Sequence, residues 1–214
     1  MRFWVVKKSG IIKPAVIAVL VALLISAVSI TGAAAVYGGK TTRKLPIYSV
    51  ETEEKKVAIS FDASWGADKT QSILDTLTRY DVCANYFVVS FWAEKYPEQL
   101  KALADSGRVE IGTHSNTHPH MPKLSRNQIE LELSSSVKII ENITGKKVEL
   151  FRPPFGDYSD TLLEEAEKLG LYTIQWDVDS LDWKDLSAQA MAERVLSGVK
   201  NGSIVLMHND GKNT

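Results

Sequence analysis

Histidines are the residues of this sequence whose spacing most clearly suggests chemistry. His114 and His118 lie four residues apart in "HSNTH", and all four histidines fall within "HSNTHPH" or at His208. Two neutral imidazoles held close together suit zinc or a similar divalent ion. A helical zinc-peptidase motif is not indicated, because its glutamate is absent and Pro119 follows the pair. The clustering favours one functional site over separate structural histidines.

Two further charged residues stand where apolar runs end. In "VAISFDASWG", residues 57–66, the apolar run ends at Asp62, and the next side chain is only the methyl group of Ala63. Arg152 begins "RPPFG", where two prolines and a glycine indicate a rigid turn. An arginine in this turn either holds a functional carboxylate ionised or forms a purely structural ion pair. The sequence alone leaves both alternatives open.

Short apolar runs alternate with helical patterns from Val57 onward. The predicted strands are "VAISF", "ANYFVV", "VEIG", "VELF", "YTIQW" and "SIVLM". Helices are predicted over residues 68–80, 97–106, 125–144, 160–169 and 187–198, with Gly107, Gly145, Gly170 and Gly198 closing four of them. Ser125 and Gln128 match a capping box. This alternation predicts a mainly parallel sheet covered by helices.

The predicted sheet explains how residues far apart in sequence can form one site. The carboxyl ends of parallel strands face the same side of an α/β barrel, where active sites are assembled. Asp62, the histidine pair, Arg152 and His208 all follow or end predicted strands. The stretch "WDVDSLDWKD" follows another strand and adds Asp177, Asp179 and Asp182, although taken alone it predicts only a solvated turn.

Composition narrows the function classes. The chain has 214 residues, enough for one sizeable domain. Residues 1–37 hold four of the 25 basic residues and none of the 26 acidic ones, so the remaining chain is acidic overall. A nucleic-acid binder would normally carry a basic footprint, and we exclude that class. Cys83 is the single cysteine, which rules out an intrachain disulfide, and its apolar surroundings predict a buried thiol.

The N-terminal segment predicts a membrane connection. Residues 1–37 combine a basic start with an apolar stretch of about the ~20 residues that a spanning helix needs. The sequence "GAAA" at its end resembles a signal-cleavage site. We therefore expect an uncleaved single-pass anchor, or alternatively a cleaved secretory signal, with the body outside the membrane. Residues 38–55 are polar, contain glycine and proline, and are predicted to be a linker.

Five ordered segments resemble the motifs of the NodB-homology polysaccharide deacetylases (carbohydrate esterase family four). They are "SFDASWG", "HSNTH", "RPPFG", "DSLDW" and "LMH", and the similarity covers residues 56–210. The lead-in "LPIYSVETEEKKVAISFD" behind one apolar segment is similar to the sporulation-associated branch. The resemblance implies a distorted (β/α) barrel that hydrolyses N-acetyl groups on amino sugars of peptidoglycan or chitin.

The resemblance also implies roles for the residues that could carry the reaction. Asp62 would be the general base that takes a proton from water. His114 and His118 would bind a divalent metal, most plausibly zinc, that polarises the acetyl carbonyl. His208 would be the general acid that protonates the leaving amine.

A second group of residues is implied to support these. Arg152 would orient the base, and Asp182 would hold the general acid in its working orientation. The backbone N–H near Phe155 would stabilise the oxyanion, and Trp183 and Leu206 would line the pocket for the acetyl methyl group.

The chain departs from the family pattern in two places. Most members have two adjacent acids in the first motif, and the second acid is the third metal ligand; Ala63 stands there in this chain. Asp68 is the nearest carboxylate that could replace it, although its position also suits a helix N-cap. The chain ends soon after His208, where the family continues with a helix and a strand. We therefore expect residues 56–214 to form a C-terminally incomplete domain.

Three functions remain open from the sequence. The first is a membrane-attached deacetylase of cell-wall polysaccharide, with no obligate protein partner evident. The second is a glycan-binding homologue that lost turnover with its third metal ligand. The third is another metal-assisted hydrolase that uses the same residues on a different amide or ester. The joint presence of Asp62, Arg152 and His208 favours the first, and Ala63 favours the second.

Overall fold

The computed structural model describes residues 43–214, and Lys44–Thr214 form one unit. The predicted membrane or signal segment, residues 1–37, lies outside the described residues. Within residues 43–214, no helix is long and apolar enough to span a bilayer.

A single sheet of seven parallel strands forms the centre of the domain. Its strands are β1 (Ala58–Ala63), β2 (Ala84–Val88), β3 (Val109–Thr113), β4 (Leu150–Phe151), β5 (Tyr172–Thr173), β6 (Val178–Asp179) and β7 (Ile204–His208). They lie in the order β5-β4-β3-β2-β1-β7-β6, so β5 and β6 are the edges. The predicted distorted barrel is confirmed as a curled half-barrel of parallel strands.

Within residues 43–214, six α-helices connect these strands. They are α1 (Thr70–Arg79), α2 (Ser90–Lys95), α3 (Pro97–Asp105), α4 (Arg126–Thr144), α5 (Asp160–Lys168) and α6 (Ala188–Gly198). The five predicted helices are confirmed to within two residues at each end, whereas the short α2 was not predicted. The capping box at the start of α4 is confirmed, because the Ser125 N–H donates to Gln128 Oε1 over 2.9 Å.

Several local predictions are wrong for identifiable reasons. Gly107, Gly145 and Gly170 have the expected positive φ, but Gly198 is the last residue of α6 and does not. Asp68 is not the N-cap of α1, since Lys69 occupies that position. Cys83 is exposed, because it precedes the first buried residue of β2.

The boundaries of the predicted strands also differ from the observed ones, by two residues or more at β1, β4 and β5. Strand β1 extends to Ala63, so Asp62 lies inside the strand and not after it. The predicted strand "YTIQW" contains only the two residues of β5, and the separate strand β6 was not predicted. These short strands cannot show a period of two, which is why the sequence pattern misplaced them.

The core packs helices against the outer face of the sheet. Phe61 and Ala63 of β1 belong to it, together with the fully buried Trp92 of α2 and Leu133 of α4. Along β1 these apolar residues alternate with Ser60 and Asp62, as expected for side chains that point to opposite faces of a strand. The polar members of β1 therefore face the concave side of the half-barrel.

Residues within the predicted linker contact the sheet from Ile47 onward. The Ile47 N–H donates to the Thr173 carbonyl, and the Val50 N–H donates to the Gly202 carbonyl, both over 2.9 Å. Gly202 has φ +80°, and a Cβ there would overlap the Val50 carbonyl oxygen. This close approach explains why a glycine is needed at the turn before β7.

Candidate active site

A buried ion pair forms the centre of the site. Arg152 follows β4 and is fully buried, and its Nη1 donates to Asp62 Oδ1 over 2.9 Å. Its Nη2 donates to Ser60 Oγ over 2.9 Å and to the Gln175 carbonyl over 3.1 Å. The guanidinium carbon lies 4.1 Å from the centre of the Phe87 ring. These contacts fix the plane of the guanidinium and, through it, the orientation of the carboxylate.

The neighbours of Asp62 keep it ionised. Burial disfavours the carboxylate, but His114, Arg152 and His208 together outweigh this cost and lower the pKa of Asp62. Arg152 binds one oxygen of the carboxylate, and Asp62 also lines the open cleft, where its carboxylate can accept a proton. The arrangement is that of an oriented base.

His114 follows β3 and points its second ring nitrogen toward the same carboxylate. Its Nδ1 donates to the Arg152 carbonyl over 2.7 Å, which leaves Nε2 3.5 Å from Asp62 Oδ2. Burial lowers the pKa of His114 in spite of the nearby Asp62 charge. Burial, with His114 next to it, lowers the pKa of His118 to about 4. Both imidazoles are therefore neutral near neutral pH, as metal ligands must be.

The loop that carries the histidine pair is held from α4. Glu132 accepts hydrogen bonds from the N–H groups of Asn116 and Thr117, over 3.0 and 2.8 Å, and from the Thr117 hydroxyl over 2.6 Å. Ser115 and His118 both have positive φ. The carboxylate thus stabilises a loop conformation that ordinary residues rarely adopt.

The second catalytic candidate is a paired histidine at the end of β7. His208 Nδ1 donates to Asp182 Oδ1 over 2.8 Å, and the His208 backbone N–H donates to Asp182 Oδ2 over 2.6 Å. Burial disfavours the charged ring, but the Asp182 hydrogen bond and the Asp62 charge outweigh this effect and raise the pKa of His208. The protonated ring can therefore present its Nε2 proton to the cleft.

One cleft of about 440 Å³ collects the predicted site residues. Its lining includes Asp62, His114, His118, Phe155, Asp182, Trp183, Leu206 and His208. Arg152 lies beneath it, in contact with Asp62. Among the acids of "WDVDSLDWKD", Asp177 instead accepts from Ser203 and Ile204, and Asp179 accepts from Leu181. Asp177 therefore links the chain before β6 to the start of β7, and Asp179 stabilises a local turn.

The residues present do not make a three-ligand metal site. Ala63 is fully buried, belongs to the apolar core and does not line the cleft. Asp68 does not line the cleft either. Within residues 43–214 no group of three or more His, Cys, Asp or Glu side chains is arranged to hold a metal ion. The donor set amounts to two imidazoles, beside a carboxylate that Arg152 already binds.

Sequence reasoning missed several residues of the site. Trp65 and Trp176 line the cleft, and Glu132 holds the histidine loop from fifteen and sixteen positions away. Trp65 lies in the quoted "SFDASWG", so its position beside Asp62 was a usable signal. Nothing local in the sequence marks Glu132, because its partners are brought to it only by the packing of α4 against the sheet.

Comparison with known proteins identifies the family. The model of the family described as polysaccharide deacetylase matches residues 49–174, and the chain belongs to that family. The peptidoglycan-N-acetylglucosamine deacetylase of Bacillus cereus is 31% identical over 161 residues, which are 75% of this chain and 58% of the relative. The peptidoglycan-N-acetylmuramic acid deacetylase PdaA of Bacillus subtilis is 32% identical over 165 residues, 75% of this chain and 62% of the relative. The chain thus spans less than two thirds of either relative.

A solved structure is similar over the same region. BA3943 of Bacillus anthracis, described as a pseudoenzyme of carbohydrate esterase family four, has a TM-score of 0.75 and 34% identity. The match covers 77% of this chain and 58% of BA3943. A mutant of BA3943 is described as having restored enzymatic activity. Members of one fold can therefore differ in whether they turn over substrate.

Proposed function

We propose that this chain is a hydrolase that removes N-acetyl groups from amino sugars of cell-wall polysaccharide. The observation that carries the proposal is the pairing of two oriented groups across one cleft: Asp62 held by Arg152, and His208 held by Asp182. The pKa of Asp62 is lowered and that of His208 is raised, which favours the ionised form of the first and the protonated form of the second. Such a separation is typical of a base and an acid that act in one reaction.

The geometry supports a definite sequence of proton transfers. Asp62 takes a proton from a water molecule as the water oxygen attacks the acetyl carbonyl carbon. The backbone N–H near Phe155 stabilises the oxyanion that forms. His208 then donates its Nε2 proton to the amide nitrogen as the carbon–nitrogen bond breaks. The products are acetate and the free amine of the sugar.

The supporting residues keep these two groups in place. Arg152 fixes the Asp62 carboxylate and prevents it from rotating away from the cleft. Asp182 selects the His208 tautomer whose Nδ1 carries a proton. Trp183 and Leu206 line the cleft and provide an apolar contact for the acetyl methyl group.

Metal dependence is the part of the family pattern that this chain supports least. Deacetylases of the family are generally metal-dependent. His114 and His118 would contribute to a divalent ion such as zinc, but the third ligand position is the methyl group of Ala63. The proton transfers described above therefore involve only Asp62 and His208 and no metal ion.

The second candidate is a glycan-binding protein without turnover. The presence of Ala63 favours it, because a buried methyl group at that position cannot complete a metal site. The similarity to BA3943 is consistent with such a loss. In this alternative the cleft and the tryptophans that line it would still bind a glycan, whereas Asp62 and His208 would have no catalytic role.

The cellular setting is also part of the proposal. The curated relatives named above act on peptidoglycan, which supports a cell-wall glycan as the substrate. Residues 1–37 would attach the domain to the outer side of the cell membrane, or direct its secretion if they are cleaved. The lead-in sequence supports a role in sporulation.

Acetate release tests the proposal. The protein would be incubated with peptidoglycan and chitin oligosaccharides after chelation, with and without added zinc. Release that requires zinc would show that the histidine pair still binds metal, and release without zinc would establish a metal-independent hydrolase. Glycan binding without any release would favour the second candidate. Turnover of simple aryl esters alone would indicate a different hydrolase.

A further inference from the structure

The turn that carries the proposed oxyanion donor has an unusual backbone. Phe155 and Gly156 follow β4 and have φ values of +61° and +66°, a left-handed conformation that a residue with a bulky side chain rarely adopts. A Cβ at Gly156 would lie 2.8 Å from Trp176 Cη2, so the turn packs directly against the chain that follows β5. The direction of the N–H near Phe155 therefore depends on the contacts that hold this turn in place.

The side chain of Gln175 holds the turn from within the fold. Its Nε2 donates to the Gly156 carbonyl over 2.8 Å. Gln175 is 2% exposed and does not line the cleft, so its amide is not available to a substrate. The hydrogen bond offsets part of the cost of the left-handed backbone and fixes the orientation of the peptide group that follows Gly156.

The main chain of the same residue supports the proposed base. The Gln175 carbonyl accepts a hydrogen bond from Arg152 Nη2 over 3.1 Å, and Arg152 Nη1 donates to Asp62. The Gln175 N–H in turn donates to the Ile47 carbonyl over 2.7 Å, which ties Gln175 to the segment before β1. One buried residue thus contacts both the turn of the oxyanion donor and the guanidinium that orients the base.

We propose that Gln175 is a positioning residue for the reaction: its side-chain amide holds the N–H near Phe155 in the direction that binds the oxyanion. Preorganised donors of this kind lower the transition-state barrier because they need no reorganisation as charge develops. Gln175 acts through the turn and touches no reacting atom. This inference rests on the proposed function, since it concerns the rate of the same deacetylation.

The test removes only the side-chain donor. Gln175→Met keeps the approximate length of the side chain without a donor, whereas Gln175→Glu can donate only when its carboxyl is protonated. Thr144→Val is the control, because it removes a buried hydroxyl that donates to the Ile140 carbonyl over 2.8 Å and does not line the cleft. Acetate release from N-acetylglucosamine oligosaccharides would be measured over a range of pH.

A second measurement does not depend on turnover. Acetate, the product of the proposed reaction, presents a carboxylate oxygen to the same N–H. Acetate would be titrated into each protein, and the amide signals of Phe155 and Gly156 would be followed by NMR. These signals report the geometry of the turn, and their displacement by acetate gives the affinity for an anion at the donor.

The expected loss is in turnover and not in substrate binding. Gln175→Met should lower kcat about tenfold with KM unchanged, which is less than the roughly 100- to 1000-fold cost of removing a whole oxyanion donor. It should also displace the two amide signals and weaken acetate binding. Burial favours the protonated carboxyl in Gln175→Glu, so its activity relative to the parent should be high in acid and fall toward that of Gln175→Met as pH rises. Thr144→Val should match the parent.

The outcomes separate this inference from the proposed function. Unchanged kcat in Gln175→Met would overturn the inference and leave the deacetylase. An equal loss of kcat in Thr144→Val would also overturn it, because any buried hydrogen bond would then have the same effect. Absence of acetate release by the folded parent would contradict the proposed function. The acetate titration would then decide the inference: weaker binding in Gln175→Met would support it, and equal binding, or none to the parent, would overturn it.

Discussion

Replacing Asp182 with asparagine tests how His208 is prepared to act as the general acid. Asp182 accepts two hydrogen bonds from His208, over 2.8 Å from the ring and 2.6 Å from the backbone. Asparagine can keep the backbone hydrogen bond but cannot stabilise a protonated ring by charge. One charge-assisted hydrogen bond is worth about 1.5–3 kcal/mol. If this hydrogen-bond free energy is lost wholly in the transition state, kcat/KM should fall about 10- to 150-fold.

The pH dependence of the Asp182→Asn variant gives the sharper result. A general acid works below its pKa, so activity is lost as pH rises through the raised pKa of His208. Removal of the Asp182 charge should lower that pKa, and the alkaline limb of the rate profile should move to lower pH. Proton NMR of the His208 ring in the same variant should show the same displacement, and circular dichroism should show an unchanged fold. If neither the alkaline limb nor the titration of the His208 ring moves to lower pH, Asp182 does not raise the pKa of His208.

Two further predictions concern stability. Arg152→Met should cost about 3–5 kcal/mol in the free energy of unfolding, because the Asp62 carboxylate would be left buried and unpaired. Folding lowers the pKa of Asp62, so the ion pair stabilises the fold above the unfolded pKa, and this contribution disappears as pH falls through the folded pKa. The penalty of Arg152→Met in denaturant titrations should therefore shrink in acid and in the Asp62→Asn background; an equal penalty in both would contradict the ion-pair explanation. Gly107→Ala should cost about 1–2 kcal/mol for its positive φ alone. Gly202→Ala should cost at least about 1 kcal/mol more, because it also breaks the hydrogen-bonded approach of Val50; equal Tm values for the two alanine variants would show that the contact is unimportant.

The sequence was sufficient to predict the overall plan of the site. Alternating strand and helix patterns, with glycines after three helices, predicted the parallel sheet. The parallel arrangement then required Asp62, Arg152 and His208 to meet at one edge. These inferences succeeded because each depends on a pattern that is local in the sequence or on a rule of topology.

Other features depend on packing and were not predictable in this way. Strands β4, β5 and β6 have two residues each, too few for a periodic signal. Strand β1 extends to Ala63, whose methyl group belongs to the apolar core, beyond the apolar run that marks the strand in the sequence. Glu132 supports the histidine loop only because α4 packs beside it. The positive φ of Phe155 likewise follows from the turn after β4 and not from residue preference.

The proposed deacetylase activity, with Asp62 as its base, is tested most directly by measuring acetate release. The substrates are N-acetylglucosamine oligosaccharides and peptidoglycan fragments, and the unchanged chain is compared with Asp62→Asn. If Asp62 is the base, the unchanged chain should release acetate and the variant should not, with the fold and the affinity for the glycan preserved in both. Equal release by the two proteins would show that Asp62 is not the base. A folded, glycan-binding protein that releases no acetate would contradict the deacetylase assignment itself.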